Sequence, residues 1–260
     1  MRVTVIGCAG SFAGPDSPAS CYLVQAEEGG RIWNVLLDLG SGAFGPLQRH
    51  LDPAMLDAVL VTHLHPDHCV DLCGLYVHRK YRPVPDARGR LDIWGPQGTA
   101  ERVAAMYHGL EQGGMEAQFV FHDLTDRAPV RVGPLTITPY AVNHPVEAYG
   151  FRVEADGAVL AYTGDTDACR ALEPLLHGAD LALVDSAFVD GRDVTLGVHL
   201  SGSRAAGAAL AAGGVRRLML THLPSWNDPE LCRAQAAAIW PGAVELAVAG
   251  STHVVGPPLE

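Results

Sequence analysis

The residues Thr62-His63-Leu64-His65-Pro66-Asp67-His68 follow directly on the apolar run Ala58-Val59-Leu60-Val61, and no other segment limits so strongly what this chain can fold into. Three imidazoles and a carboxylate crowd into positions 63 to 68. Neutral imidazole nitrogen and carboxylate oxygen are good ligands for zinc and neighbouring metals, but donors so close in sequence converge only where the chain turns sharply off a rigid element. The apolar run predicts that element as a strand, and Pro66 predicts the turn. A solvated polar loop is the alternative, and the density of histidine speaks against it. Such a cluster reads as half of a two-metal site, because one loop leaves coordination positions that other parts of the chain must fill.

Apolar runs of strand length recur at 3–7, 21–26, 32–38, 57–62, 91–95, 118–121, 135–142, 148–155, 158–163, 180–185, 217–221 and 243–249. Helix-like stretches lie at 44–51, 66–80, 98–110, 168–177, 202–213 and 229–239. Early strands follow one another closely and later ones alternate with helices, which predicts an α/β fold of sheets covered by helices rather than an all-β sandwich. The Gly/Pro clusters at 13–20, 83–89, 111–114 and 255–258 are short and flanked by strong elements, so residues 1–260 are expected to form a single domain.

The formal net charge of −11 argues against a long nucleic acid as partner, since a protein that grips a phosphate backbone presents a clustered cationic face. Lys80 is the only lysine, and the small basic run His78-Arg79-Lys80-Tyr81-Arg82 reads first as a solvated helix end and second as a phosphate-orienting patch. A small anionic substrate remains compatible with this balance. No apolar run is long enough to span a membrane, and Met1 leads straight into Val3-Thr4-Val5-Ile6 without a signal-peptide pattern, so a cytoplasmic location is expected. The six cysteines show no Cys-x-x-Cys pair; Cys69 and Cys73, four apart on an expected helix, read as core residues rather than metal ligands. The loop Gly7 to Pro15 lacks both phosphate-loop patterns and is expected beside the active site.

Three downstream residues begin loops directly after apolar strands, where side chains from different strands converge on one rim: His144, Asp165 and His222. With Asn143-His144-Pro145, Thr163-Gly164-Asp165-Thr166 and Leu220-Thr221-His222-Leu223 added to the first cluster, the chain resembles the metallo-β-lactamase superfamily over nearly its whole length. The resemblance implies a four-layered αβ/βα sandwich with the metal site along one edge. It further implies that His63, His65 and His144 hold one divalent metal, that Asp67, His68 and His222 hold the other, and that Asp165 bridges them. Zinc is the first expectation, with manganese or iron as alternatives. A cysteine usually takes the bridging place in the antibiotic-hydrolysing branch, so Asp165 points away from lactamase activity.

The segment Gly197-Val198-His199-Leu200-Ser201-Gly202 resembles the extra histidine of the tRNase Z-like phosphodiesterase branch, which protonates the leaving oxygen. Asp185 stands where tRNase Z commonly has the acid that orients it. Gly14-Pro15-Asp16-Ser17-Pro18-Ala19-Ser20 departs from the Arg-Asn motif of tRNase Z and typical class II phosphodiesterases, and no basic Gly/Pro-rich arm for tRNA is present. Together these segments are most similar to the actinobacterial atypical class II cyclic-AMP phosphodiesterases. The resemblance therefore implies hydrolysis of 3′,5′-cyclic AMP to 5′-AMP by a metal-bridging hydroxide, with Asp67 positioning that nucleophile, His199 acting as general acid and Asp185 orienting His199. An RNA 3′-end or cyclic ribose phosphate hydrolase is the second expectation, and a lactone or thioester hydrolase that dispenses with His199 the third. Relatives are often homodimers. His50, His78, His108, His122, His177 and His253 have no motif around them and are expected in structural or surface roles.

Overall fold

The computed structural model describes residues 1–83, 88–109 and 114–256. Its strands are β1 (Arg2–Gly7), β2 (Cys21–Glu28), β3 (Arg31–Leu37), β4 (Ala58–Leu60), β5 (Leu91–Gly95), β6 (Phe119–Asp123) and β7 (Val130–Val132). They continue with β8 (Leu135–Ala141), β9 (Tyr149–Ala155), β10 (Ala158–Tyr162), β11 (Leu181–Asp185), β12 (Leu218–Thr221), β13 (Val244–Leu246) and β14 (Thr252–Val254). The helices are α1 (Phe44–Leu47), α2 (Pro66–Cys69), α3 (Leu72–Tyr81), α4 (Thr99–Tyr107), α5 (Leu172–Leu176), α6 (Gly202–Ala211) and α7 (Pro229–Ala237). One sheet runs β14-β1-β2-β3-β4-β5-β6 and the other β13-β12-β11-β10-β9-β8-β7.

The central strands β4, β11 and β12 are apolar on both faces because both faces are covered, whereas β5, β8 and β9 alternate apolar and polar residues. Along β3, Val35 and Leu37 face the other sheet, packing in one cluster with Phe151, Val153, Leu160 and Leu183. Leu36 points the opposite way, into a cluster with Leu47, Leu72, Leu75 and Val103 of α1, α3 and α4. On the far side, Ala161, Ala182, Val184 and Leu220 pack on Leu175, Ala205, Ala209 and Ala236 of α5, α6 and α7. Helix, sheet, sheet and helix make the four-layered αβ/βα sandwich expected from the sequence.

β3 to β6 run parallel, as do β10 to β13, so loops that leave consecutive strands gather along one edge. Ligand sites in parallel sheets form at such carboxyl ends.

Several expected boundaries differ. The helix expected over 66–80 is split between α2 and α3, because the loop after β3 inserts its backbone. Leu39 N–H donates to the His68 carbonyl (2.8 Å), and Asp71 N–H donates to the Leu39 carbonyl (3.2 Å), so neither group serves the helical ladder. Gly40 lies so close that a Cβ there would sit 1.9 Å from the Asp67 carbonyl oxygen. The helices expected over 44–51 and 168–177 are shorter, at 44–47 and 172–176. Strands β7 and β14 and a 3₁₀ turn at Pro53–Met55 were not expected from the sequence. Residue 110 of the helix expected over 98–110, and parts of the Gly/Pro clusters at 83–89, 111–114 and 255–258, lie outside the described residues. Among the described residues no helix is long and apolar enough to cross a membrane.

Candidate metal centre

Loops from both sheets deliver the expected donors to one place. His63, His65, Asp67 and His68 follow β4, His144 follows β8, Asp165 follows β10, and His222 follows β12. Each loop starts from a strand locked on both faces, so its first residues inherit a fixed position.

The donors fall into two sets. His63, His65 and His144 form one, with His65 Nδ1 2.9 Å from His63 Nε2 and 3.3 Å from His144 Nε2. Asp67, His68, Asp165 and His222 form the other, with His68 Nε2 3.2 Å from Asp165 Oδ1 and His222 Nε2 3.1 Å from Asp165 Oδ2. His63 Nε2 is 3.7 Å from Asp165 Oδ2, which puts Asp165 between the sets. The arrangement brings together all seven residues that the sequence singled out as ligands.

Neighbours occupy the remaining ring nitrogen of four of the five imidazoles, which fixes their orientation. His63 Nδ1 meets Thr62 Oγ1 (3.1 Å), His68 Nδ1 meets Asp38 Oδ2 (2.8 Å), His144 Nδ1 meets the Val198 carbonyl (2.9 Å), and His222 Nδ1 meets Ser20 Oγ (3.2 Å). His222 and Asp38 both take left-handed backbone, at φ +59° and +61°, a strain typical of functional positions held by their surroundings.

The charges suit a cation. Burial pushes His63, His65 and His144 below the usual histidine range, which keeps them neutral and able to coordinate. Burial opposes ionisation of Asp67 and Asp165, yet the imidazoles of His68 and His222 hold both carboxylates below their usual range. Burial would also lower His68, but Asp165 and Asp38 on either side raise it well above the histidine range. His68 Nε2 and Asp165 Oδ1 are buried without a hydrogen-bond partner, since their close approach is not aligned as a hydrogen bond. Orphaned buried polar atoms facing one space fit a divalent cation.

His199 stands at the same edge. Its ring centroid lies 5.5 Å from that of His144 and 5.3 Å from that of His222. Its Nδ1 is 2.8 Å from Asp185 Oδ2, so the shorter acid does reach it. Asp185, fully buried, also accepts from the Thr166 N–H (2.9 Å) and the Ala187 N–H (3.0 Å), which fixes the carboxylate. Burial would push His199 down, but the Asp185 carboxylate, with Asp165 behind it, carries it up to about 9.

Four supporting residues escaped the sequence reading. Asp38, fully buried, accepts from Thr62 N–H (2.7 Å), Tyr162 O–H (2.7 Å) and His68. Its signal was present, since Asp38 ends an apolar strand just as the retained candidates do. Ser20 reaches His222 from far away in sequence, and nothing local announces it. Asp167 accepts from the Gly197 N–H (2.6 Å) and pairs with Arg204, which itself donates to the His199 carbonyl (3.3 Å).

The other expectations resolve simply. Cys69 and Cys73 pack in the core, and the Cys69 thiol meets only the backbone carbonyl of His65 (3.2 Å) rather than a donor atom. Lys80 bonds the Tyr76 hydroxyl (3.0 Å) at the far end of α3, about 12 Å along the helix from its start, so the basic run leads away from the donors. His108, His122, His177 and His253 hydrogen-bond elsewhere. The loop after β1 does flank the centre, where Ala9 bridges Leu223.

Comparison with known proteins agrees with this geometry. The Beta-lactamase superfamily domain model matches residues 33–223. The uncharacterized protein Rv1339 of Mycobacterium tuberculosis is 41% identical over 258 residues, covering 98% of this chain and 92% of that protein. "Probable metallo-hydrolase YhfI" of Bacillus subtilis is 29% identical over 251 residues, covering 96% of this chain and 98% of that protein. The YhfI crystal structure superposes with a TM-score of 0.83 at 27% identity, over 97% of this chain and 99% of that one. Ribonuclease Z of Mycobacterium marinum is 31% identical over 279 residues, covering 95% of each. The chain belongs to the beta-lactamase superfamily, as a hydrolase whose relatives include metallo-hydrolases and ribonucleases Z.

Proposed function

We propose that this chain is a dinuclear phosphodiesterase acting on a small cyclic nucleotide, converting 3′,5′-cyclic AMP to 5′-AMP. His63, His65 and His144 would hold one divalent cation and Asp67, His68 and His222 the other, with Asp165 shared. The imidazole-rich donor set favours zinc. Bound there, the cations would supply Lewis acidity toward the phosphoryl oxygens and activate water near neutral pH.

The observation that carries the reading is the hydrogen bond between His199 and Asp185 beside the donor cluster. Nδ1 is engaged by the carboxylate, which leaves Nε2 to give up a proton. Opening a 3′,5′-cyclic phosphate expels the ribose 3′ oxygen, which departs far more readily if protonated as the bond breaks. A thiolate leaving group needs no such acid, which disfavours a thioester. Asp67 Oδ2 lies 3.4 Å from His68 Nε2 and 3.8 Å from His222 Nε2, which supports a role in which it would complete the second donor set and orient water. The net charge of −11 supports a small substrate over a long polynucleotide.

A tRNase Z-like reaction on an RNA 3′ end is the second reading, favoured by the similarity to ribonuclease Z. Assays of cyclic AMP, bis(p-nitrophenyl) phosphate, a precursor tRNA and a lactone, run in parallel on zinc- and manganese-loaded protein, separate these readings. The expected result is 5′-AMP from cyclic AMP. His199→Ala should lower turnover by about 10²- to 10⁴-fold while metal content stays constant. An unchanged rate would overturn the acid role.

A further inference from the structure

Two exposed aromatic rings, on the loop after β1 and on the segment after His222, have no part in the chemistry above. Phe12 and Trp226 are 40% and 62% exposed, yet their ring centroids lie 4.9 Å apart with planes tilted by 48°. Two large rings exposed side by side make a contiguous apolar patch rather than scattered single residues, and such patches can mark ligand-binding surfaces.

Both rings sit on segments clamped to the centre. Gly10 N–H donates to the Leu223 carbonyl (3.1 Å), and a Cβ on Gly10 would lie 2.3 Å from the His222 carbonyl oxygen, so the first loop touches the backbone of a donor residue. Ser11 is then held at φ +65°, which costs about 1–2 kcal/mol for a residue with a Cβ, and Phe12 N–H folds back onto the Gly10 carbonyl (2.8 Å). Trp226 follows His222 by four residues. Its neighbour Asn227 is buried and tied to the Pro224 carbonyl (2.9 Å) through its N–H and to the Ala187 carbonyl (2.8 Å) through its side chain. Phe12 is therefore two residues from a contact with the His222 backbone, and Trp226 four residues beyond His222.

Charge narrows the occupant further. Residues 9–18 and 223–228 contain no lysine or arginine, and their only ionisable side chains are Asp16 and Asp228. Such segments cannot track a second phosphate, whereas they can stack a neutral ring.

We propose that Phe12 and Trp226 form the base-stacking subsite for a nucleotide whose phosphate lies at the His/Asp centre. This rests on the phosphodiesterase reading and adds the element that selects a nucleotide over other phosphodiesters. Stacking of a base on an aromatic side chain contributes about 1–3 kcal/mol. The platform meets the face of the base and not its edge, so it distinguishes a nucleotide from a bare sugar phosphate more sharply than adenine from guanine.

The test is calorimetric titration of metal-loaded protein with 5′-AMP and with ribose 5-phosphate, which share sugar and phosphate and differ in the base. Wild type should bind 5′-AMP about tenfold or more tightly than ribose 5-phosphate. Trp226→Ala should bring that ratio to within about twofold, and Trp226→Phe, which keeps a ring, should retain most of it. No preference in wild type, or an undiminished preference in Trp226→Ala, overturns the proposal. Cyclic AMP turnover measured on the same samples keeps the two readings apart. A Trp226-dependent preference without turnover retains the subsite and removes the assigned reaction, and turnover without any preference does the reverse.

Discussion

Replacing Asp185 with Asn tests the pairing on which the proposed acid role of His199 depends. The carboxylate is fully buried and fixed by the Thr166 and Ala187 N–H groups, so an isosteric amide takes its place with little repacking while the negative charge disappears. In the wild-type protein burial lowers His199, and the Asp185 carboxylate more than offsets this, carrying the imidazole from an ordinary 6.5 up to about 9. That displacement corresponds to about 3 kcal/mol of folded-state stabilisation of the imidazolium. Because the folded value is raised, the contribution is fully present below pH 6.5 and is lost as pH rises through about 9. The stability gap between wild type and Asp185→Asn should therefore be widest near pH 6 and shrink by about 3 kcal/mol by pH 10. Urea unfolding of the metal-free proteins at pH 6, 8 and 10 measures the gap. Histidine ring NMR follows His199 directly and should show the variant titrating lower than wild type. A gap that stays constant with pH, or wild-type His199 titrating near 6.5, would refute the reasoning.

Other perturbations probe the support of the donors. Asp38→Ala leaves Thr62, Tyr162 and His68 without their shared acceptor, so metal affinity should fall by about 10- to 100-fold, read by competition with a chelator. The same variant should lose about 3–5 kcal/mol of stability in urea unfolding, since a buried pair is broken from one side. Gly40→Ala places a methyl 1.9 Å from the Asp67 carbonyl oxygen and must displace the loop that splits α2 from α3. Metal content and turnover should fall together, and full retention of both would show that this contact does not position Asp67.

The chain's local chemistry announced most of the centre. His63 to His68 run from the end of β4 into α2, and His144, Asp165 and His222 each follow an apolar strand closely, so strand register carries them to the rim without long-range information. Strands β2, β3 and β10 were legible for a related reason, since runs apolar on both faces belong to sheets covered on both sides, and β8 and β9 were legible from their alternation of apolar and polar residues. Strands β7 and β14, three residues each, are too short to show a period, and they pair only because a neighbouring edge is there to receive them. The break between α2 and α3 was equally hidden, because propensity favours one helix and only the backbone of Leu39, arriving from another strand, takes its hydrogen bonds.

By itself the sequence determined the donor types, their attachment to strand ends and the presence of a further histidine, His199, downstream of them. The resemblance already implied how those donors divide around Asp165 and that Asp185 orients His199; tertiary structure alone decided the distances between the donors and which other residues hold them, Asp38 and Ser20 among them. Asp38, Ser20 and Asp185 reach His68, His222 and His199 across 30, 202 and 14 residues. A hydrogen bond depends on distance and angle in space, and residues so far apart in sequence acquire both only when the two sheets have packed.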